Sequence, residues 1–148
     1  MTSSTDALHI VCPHCHTTNR VRVADMALGP DCGQCHQALF EQHPLTLDAS
    51  SFDKHIGRSH VPVLVEFWAP WCGPCRMMAP AFEQAAGLLE PQVRLAKLNT
   101  EDEQAIAARF HIRSIPTLAL FVNGQEVARQ AGAFRTAADI ADWTRSHL

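Results

Sequence analysis

The sequence lacks the features of exported and membrane-spanning proteins. No apolar run reaches the roughly 18 residues that a helix needs to cross a bilayer. The first stretch, MTSSTDALHIVCPHC, contains neither the basic segment nor the apolar segment of a secretory signal. We therefore expect a cytoplasmic protein that does not interact with a membrane.

The sequence also lacks an excess of positive charge and a nucleotide-binding fingerprint. Its 12 lysines and arginines against 15 acidic residues give a net charge of -3 at pH 7, so nucleic acid is not an expected partner. No Gly-x-Gly-x-x-Gly motif occurs, and we expect no bound organic cofactor. The hydrophobic share of 47% and the charged share of 18% are typical of a globular protein.

No cysteine stands alone in this sequence. The six cysteines form three pairs with two residues between them, CPHC at 12–15, CGQC at 32–35 and CGPC at 72–75. Structural disulfides are rare in a reducing cytoplasm, so pairs of this spacing indicate either metal sites or redox centres. Because the spacing is the same in all three, the surroundings of each pair must decide between the two.

The chain divides near His43 and Pro44. Residues 1–42 show no helical periodicity and contain one strand-like run, VRVADM at 21–26. A segment of this size needs a metal, a disulfide or a partner in order to fold. We predict a small module at residues 1–42 and a second domain at residues 43–148.

The second domain alternates strand-like and helix-like segments in the order β, α, β, α, β, α, β, β, α. The run VPVLVEFW at 61–68 is typical of a strand that is buried on both faces. Asp48 is the predicted N-cap of the helix before that strand, and Asn123-Gly124 predicts a hairpin. This order predicts an α/β fold with a central mixed sheet flanked by helices.

The two N-terminal pairs have the spacing C-x2-C-x16-C-x2-C, which is typical of a zinc site with four cysteine ligands. Each pair forms a turn that directs two sulfurs to one side, and a hairpin between the pairs brings four thiolates around one ion. We predict one structural zinc ion per chain in a zinc-ribbon-like module, held by Cys12, Cys15, Cys32 and Cys35. Two alternatives stay open, a pair of disulfides or a histidine that replaces one cysteine, taken from His14, His16 and His36. With few basic residues, the module is expected to face proteins or to regulate rather than to bind nucleic acid.

The third pair lies where the buried strand gives way to a helix. Free amides and the positive end of the helix dipole favour an anion there, so Cys72 should ionise more easily than a free thiol of pKa about 8.5. Cys75 lies one turn further along and can attack a mixed disulfide formed by Cys72. Gly73 and Pro74 shape the turn. This position favours a redox centre over the alternatives, half of a metal site or two core cysteines.

The segment VEFWAPWCGPCRMMAP at 65–80 resembles the active-site segment of the thioredoxin family, whose signature is WCGPC after a strand ending in FWA. The likeness extends from about residue 45 to residue 148 through KLN, RSIPTLALFVNGQ and a Gly-Ala pair. With its N-terminal pairs the chain resembles the bacterial thioredoxin 2 subgroup. The resemblance implies a thioredoxin fold, reduction of protein disulfides, and re-reduction by an NADPH-dependent thioredoxin reductase. We also expect a monomer.

The resemblance implies roles for individual positions. Cys72 would attack protein disulfides, Cys75 would resolve the mixed disulfide, and Ile115-Pro116 would hold a cis peptide bond beside them. The residues that would line a shallow apolar docking groove, or else serve only core and turn packing, are Trp71, Ile115, Pro116, Gly132 and Ala133.

One position departs from the family pattern. Glu66 stands where the family usually has a buried aspartate, which accepts or relays the proton of the second cysteine. The extra methylene changes its reach, and burial is expected to raise its pKa. Lys97 matches the family's partner lysine and can offset part of that burial. The alternative is a carboxylate at a strand edge that reaches solvent.

Two other functions fit parts of the sequence. A disulfide oxidase or isomerase would use the same fold, but it would need an oxidising compartment and usually a dipeptide less reducing than Gly-Pro. A zinc-dependent binding or holdase module would use the second domain only as a scaffold, and the intact Cys72 and Cys75 argue against that. We therefore predict a protein-disulfide reductase.

Overall fold

The computed structural model describes residues 6–148. Residues 1–5 lie outside the described residues. They are the start of the stretch in which the sequence shows no export signal, and they are also the first residues of the predicted module at 1–42. The described chain contains a two-stranded sheet near its start and a five-stranded sheet in the remainder. Within residues 6–148, no helix is long and apolar enough to cross a membrane.

A hairpin forms the base of the N-terminal module. β1 (Ala7–Val11) pairs antiparallel with β2 (Thr18–Arg22), and a 3-10 helix spans Val23–Leu28. The predicted strand VRVADM is therefore a strand only in its first two residues, and β1 was not predicted. The ladder ends at the pair Ala7 and Arg22. The next amide, that of Val23, still donates to the Asp6 carbonyl at 2.9 Å, and the chain then continues in helical turns that satisfy backbone groups locally.

Five strands form the larger sheet. They are β3 (Leu45–Leu47), β4 (Val63–Trp68), β5 (Arg94–Asn99), β6 (Thr117–Val122) and β7 (Gln125–Ala131). Their spatial order is β3, β5, β4, β6, β7. β5 is parallel to both β3 and β4, whereas β6 is antiparallel to β4 and β7. The predicted mixed sheet with a closing hairpin is confirmed.

Helices cover both faces of this sheet. The α-helices of the described chain are α1 (Phe52–Arg58), α2 (Gly73–Leu89), α3 (Gln104–Arg109) and α4 (Ala137–Ser146). One core lies between the sheet and α2 and α4, and a second lies on the face covered by α1 and α3. Leu64 of β4 belongs to the first core and Val65 to the second, because neighbouring strand residues point to opposite faces. The predicted order of elements is confirmed.

The helix α1 begins later than the sequence predicts. Its first residue is Phe52, and Asp48, the predicted N-cap, instead forms the turn before the helix. The Asp48 carboxylate accepts hydrogen bonds from the amides of Ser50 and Ser51 at 2.9 and 3.0 Å. A short carboxylate can bond amides two or three residues ahead in a turn as well as in a cap, so the sequence alone does not separate the two arrangements.

The N-terminal module packs against the end of the larger sheet at which β4 begins. The His60 amide donates to the His9 carbonyl at 2.8 Å. Val61 belongs to the apolar cluster of the module, together with Ile10 and Cys12. The third cysteine pair follows the opposite end of β4, so the two candidate sites lie at opposite ends of one strand.

Candidate redox and metal sites

Cys72 and Cys75 are joined by a disulfide bond, with their Cα atoms 5.3 Å apart. Cys72 is the N-cap of α2, and its sulfur accepts a hydrogen bond from the Cys75 amide at 3.2 Å. Both side chains are buried. Gly73 and Pro74 are the first two residues of α2, where proline's missing amide donor costs little. The predicted place of this pair, between a buried strand and a helix, is confirmed, and it is one where backbone amides favour negative charge.

Two loops border the disulfide. Loop 110–116 precedes β6 and contains the Ile115-Pro116 peptide bond, which is cis as the resemblance implies. The Ile115 carbonyl oxygen lies 3.7 Å from the Cys72 sulfur. Loop 132–136 follows β7, and the Gly132 amide donates to the Pro116 carbonyl at 2.9 Å. These contacts hold backbone from both loops beside the disulfide.

The residues predicted to line the groove differ in exposure. Trp71 is 67% exposed, and Gly132 and Ala133 are exposed as well. Ile115 is partly buried against the disulfide, and Pro116 is buried. Core packing therefore explains the burial of Pro116. It does not explain why the Trp71 indole is exposed to solvent next to a disulfide.

Sequence reasoning missed a second exposed apolar side chain near the disulfide. Met77 of α2 is 82% exposed, whereas its neighbour Met78 is 1% exposed. The helical period distinguishes the buried methionine from the exposed one. Residues three apart share a helix face, and Met78 lies three residues after Cys75. The Met78 sulfur accepts a hydrogen bond from the Phe134 amide at 3.3 Å, which ties α2 to loop 132–136.

Glu66 is fully buried in β4, and neither of its carboxylate oxygens has a hydrogen-bond partner among the described residues. It faces α2, because alternate residues of a strand share a face and Leu64 belongs to the core under that helix. Burial raises the pKa of Glu66 to about 7. The alternative of an edge carboxylate in solvent is wrong, since β4 is the central strand of the sheet.

Lys97 lies directly opposite Glu66 in the pairing of β4 with β5. Its Nζ atom sits 4.4 Å from the centroid of the Trp68 ring, a cation–π contact. Its positive charge lowers the pKa of Glu66, but burial has the larger effect. Glu66 therefore changes between its charged and uncharged forms near neutral pH.

The four N-terminal cysteines converge, and their sulfurs lie within 4.8 Å of one another. The sulfurs of Cys12 and Cys35 are 3.6 Å apart, as are those of Cys15 and Cys32. A tetrahedral ion with metal–sulfur bonds of about 2.3 Å needs sulfur separations of about 3.8 Å. All four thiols are free, so the alternative of two disulfides is not adopted. The arrangement fits a four-coordinate metal.

Hydrogen-bond donors point at two of these sulfurs. The Gln34 amide and the Asn19 side-chain amide approach the Cys32 sulfur at 3.3 and 3.4 Å. Burial raises the pKa of Cys32, but these and another amide donor outweigh it, and the pKa falls to about 6. At Cys12, which accepts from the His14 amide at 3.3 Å, burial prevails and raises the pKa to about 12. That thiol needs a bound cation to ionise at neutral pH.

The flanking histidines contact other residues. His14 pairs through Nε2 with Glu41, and Nδ1 of His16 lies 3.0 Å from Nε2 of the buried His55. The cluster of ligand atoms consists of the four cysteine sulfurs and includes neither these histidines nor His36. The alternative of a histidine ligand is therefore wrong for this structure.

Sequence reasoning also missed two buried charged residues where the module meets the sheet. Arg94 is 2% exposed, donates to the Val11 carbonyl at 3.0 Å, and lies 4.3 Å above the Phe40 ring. The carboxylate of the buried Glu90 accepts from the Gln42 amide at 3.0 Å. The available signal was an arginine at the start of a predicted strand, since an arginine that becomes buried has to find a partner.

Comparisons with known proteins cover both parts of the chain. A profile of the family described as "Thioredoxin" matches residues 43–146, and one described as "Thioredoxin 2, N-terminal" matches residues 11–37. The chain is 46% identical over 139 residues to thioredoxin C-3 of Corynebacterium nephridii, and the match covers 94% of each chain. It is 41% identical over 104 residues to a thioredoxin of Haemophilus influenzae, covering 70% of this chain and 96% of the relative.

Among solved structures, a mutant thioredoxin from Halobacterium salinarum superposes with a TM-score of 0.64 at 29% identity. The superposition covers 73% of this chain and 93% of that one. The predicted architecture, a thioredoxin fold preceded by a zinc-ribbon-like module, is confirmed.

Proposed function

Because the chain belongs to the thioredoxin family and is a protein-disulfide oxidoreductase, we propose that it reduces disulfide bonds of other proteins through Cys72 and Cys75. The Cys72–Cys75 disulfide at the start of α2, next to two loops that expose backbone and apolar side chains, carries this proposal. It corresponds to the oxidised state that such a reaction leaves behind.

The reaction proceeds by two exchanges. In the reduced protein, the Cys72 thiolate attacks one sulfur of the substrate disulfide; a bond forms between them, and the other substrate sulfur leaves as a thiolate that takes up a proton. The Cys75 thiolate then attacks the Cys72 sulfur, and the second substrate sulfur leaves and is protonated. The Cys72–Cys75 disulfide forms, and two electrons and two protons have passed to the substrate.

The start of α2 favours the first exchange. The hydrogen bond from the Cys75 amide to the Cys72 sulfur and the positive end of the helix dipole stabilise negative charge on that sulfur once the disulfide is reduced. Gly73 and Pro74 support this turn. Trp71, Ile115, Gly132 and Ala133 form the apolar groove for the substrate, and the backbone before Pro116 pairs with its extended chain.

Glu66 accepts the proton that Cys75 loses before the second exchange. The geometry supports this role, because the carboxylate faces the helix that carries Cys75. Burial raises the pKa of Glu66 to about 7, which suits proton exchange at neutral pH. Lys97 moderates that pKa.

The N-terminal cysteines have a different role. Cys12, Cys15, Cys32 and Cys35 hold one zinc ion, and four thiolate ligands leave no open coordination position for a substrate. Zinc, when bound, supplies a cross-link that stabilises the fold of residues 1–42, which are too few to fold unaided. Residues 43–148 form the catalytic domain.

The cellular setting is also proposed from the family. The protein acts as a monomer in the cytoplasm, has no organic cofactor of its own, and receives electrons from an NADPH-dependent thioredoxin reductase.

The test is reduction of insulin disulfides with NADPH and thioredoxin reductase, before and after removal of the metal. We expect NADPH consumption in step with insulin reduction, and continued turnover after metal removal at a temperature where the catalytic domain stays folded. If dithiothreitol supports insulin reduction but the reductase does not, the proposed electron donor is wrong. If neither supports it, the proposed activity is wrong.

A further inference from the structure

We propose that Arg76, Arg113 and Arg135 form a positively charged rim around the dithiol that selects protein disulfides flanked by aspartate or glutamate. This arginine rim chooses among substrates of the reaction proposed above and therefore rests on that proposed function. The rim adds to that function the chemical class of the partner, namely proteins with acidic residues beside a disulfide.

Each arginine lies on a different segment beside the disulfide. Arg76 directly follows Cys75 in α2, and its amide donates to the Cys72 carbonyl at 3.1 Å. Arg113 belongs to loop 110–116 and Arg135 to loop 132–136. All three arginines are exposed.

The three segments are fastened to one another around the Cys72 sulfur. Loop 110–116 brings the carbonyl oxygen that precedes Pro116 to 3.7 Å from that sulfur. Loop 132–136 donates one amide to the Pro116 carbonyl at 2.9 Å and another to the Met78 sulfur of α2 at 3.3 Å. These contacts link the three segments that carry the arginines, and the Cys72 sulfur takes part in one of them.

The rim arginines have no acidic partner within the described chain. Arg22, Arg109 and Arg129 each form an ion pair with a carboxylate of the same chain. In residues 6–148 no carboxylate lies within ion-pair distance of the three rim arginines. Their guanidinium groups are free to bind carboxylates of a partner, which arginine can do in a bidentate fashion.

The segments that carry the rim contain no acidic residue. Residues 67–80, loop 110–116 and loop 132–136 contain no aspartate or glutamate. The exposed Glu101 and Asp102 follow β5, which borders β4 on the side opposite to β6. Asp139, also exposed, lies in the first turn of α4 after loop 132–136. Positive charge therefore dominates the three rim segments themselves, and an acidic stretch of a substrate is expected to lie against them.

Exposed charges of this kind act mainly on the rate of encounter. Complementary charge raises association rates at low ionic strength, and salt screens the effect. The rim should thus change the second-order rate constant for acidic substrates while the chemistry at the sulfurs stays the same.

The experiment uses the fully reduced protein without any reductase, mixed with two disulfide peptides. The peptides are identical except that aspartate and glutamate beside the disulfide in one are asparagine and glutamine in the other. The change in tryptophan fluorescence follows oxidation of the dithiol. We expect the acidic peptide to react about fivefold faster at an ionic strength of about 0.02 M, and the two rates to converge at about 0.5 M.

The decisive variant is R76Q/R113Q/R135Q, which should lose the preference while its rate with the neutral peptide stays within about twofold of the original. The control is R20Q/K54Q/R58Q, which removes three exposed positive charges without an ion pair elsewhere in the described chain and changes the net charge equally. The control should keep the preference.

Each other outcome is decisive. Equal rates with the two peptides for the unaltered protein would contradict the proposed selection of acidic substrates. An equal loss of preference in both variants would also contradict it, because it would show that only net charge matters. If the unaltered protein reduces neither peptide, the proposed function itself is wrong.

Discussion

The pair at the start of α2 and the two pairs of the module share one spacing but have different neighbours. At α2 the Cys72 sulfur is bonded to that of Cys75, and the exposed side chains of Trp71 and Met77 lie close by in sequence. In the module four sulfurs face one another, and two of their cysteines, Cys12 and Cys32, are buried. The number of converging sulfurs decides whether such a pair forms a disulfide or a metal site.

The separation of the two sites makes this difference testable. One site follows the end of β4, and the other contacts the residues just before its start. A change that damages one site should leave the chemistry of the other in place.

Cys72→Ser should abolish disulfide reduction, by at least about 1,000-fold, because serine cannot form the mixed disulfide. Insulin reduction measures the loss, and elemental analysis together with circular dichroism should show an unchanged metal content and fold. Retention of turnover would remove Cys72 from its proposed role. The companion Cys75→Ser should retain the first exchange and accumulate a mixed disulfide, visible as a covalent adduct under non-reducing conditions.

Cys32→Ser should lose the metal, since three thiolates bind zinc far more weakly than four. The module should then unfold, and the free energy of unfolding should fall by about 2 kcal/mol or more as its contacts with Val61 and Arg94 are lost. Elemental analysis and urea melts measure both effects. If this variant retained one zinc ion per chain, the four-cysteine site would be contradicted. The dithiol of Cys72 and Cys75 should still reduce insulin in this variant.

Glu66→Gln should stabilise the protein at pH 8 by about 3 kcal/mol and give no gain at pH 4. The folded state has the higher pKa, about 7 against 4.5 for an ordinary glutamate, so it binds more protons and loses stability as the pH rises between those values. Glutamine carries no charge and escapes this loss. Urea melts at pH 4, 6 and 8 provide the measurement.

The activity of the same variant should fall, because glutamine cannot accept a proton from Cys75. Glu66→Asp is the matched control, since it keeps the carboxylate and should keep both the pH dependence and most of the activity. If Glu66→Gln leaves the pH dependence of stability unchanged, the carboxylate is not buried in the way described.

Trp71→Ala should have the smallest effect, a drop of about fivefold in kcat/KM for insulin. The indole is 67% exposed, so the free energy of unfolding should stay within about 0.5 kcal/mol. Rates with a small disulfide that cannot fill the groove should not change. An equal loss with small and large substrates would show that Trp71 acts on the sulfurs and not on docking.

Much of this fold was predictable because its signals are local. The Asn123-Gly124 hairpin needs two residues with positive φ, and both have it, at 51° and 82°. The position of Cys72 and Cys75 at the start of a helix was predicted because an apolar, strand-like run comes directly before them. The four-cysteine cluster was predicted from its spacing and the expected reducing compartment. The predicted hairpin between the two pairs is wrong, because the first pair lies in the turn of the β1–β2 hairpin itself and the second lies between the bridged residues Asp31 and Ala38.

The features that sequence reasoning missed depend on tertiary contacts. VRVADM has the composition of a strand, but the described pairing stops at Ala7 and Arg22, and the run continues as a 3-10 helix. Arg94 lies in a buried strand because the module supplies the Val11 carbonyl and the Phe40 ring. Neither contact is encoded near Arg94 in the sequence, and so neither could be read from it.

The most direct test of the difference between the two sites is a map of disulfides after a single oxidation. The reduced, metal-loaded protein is mixed with insulin, its thiols are alkylated, and the peptides are identified by mass spectrometry. We predict a disulfide between Cys72 and Cys75, with the four N-terminal cysteines free of disulfides and the metal retained. Disulfides forming among the N-terminal cysteines as fast as between Cys72 and Cys75 would contradict the assignment.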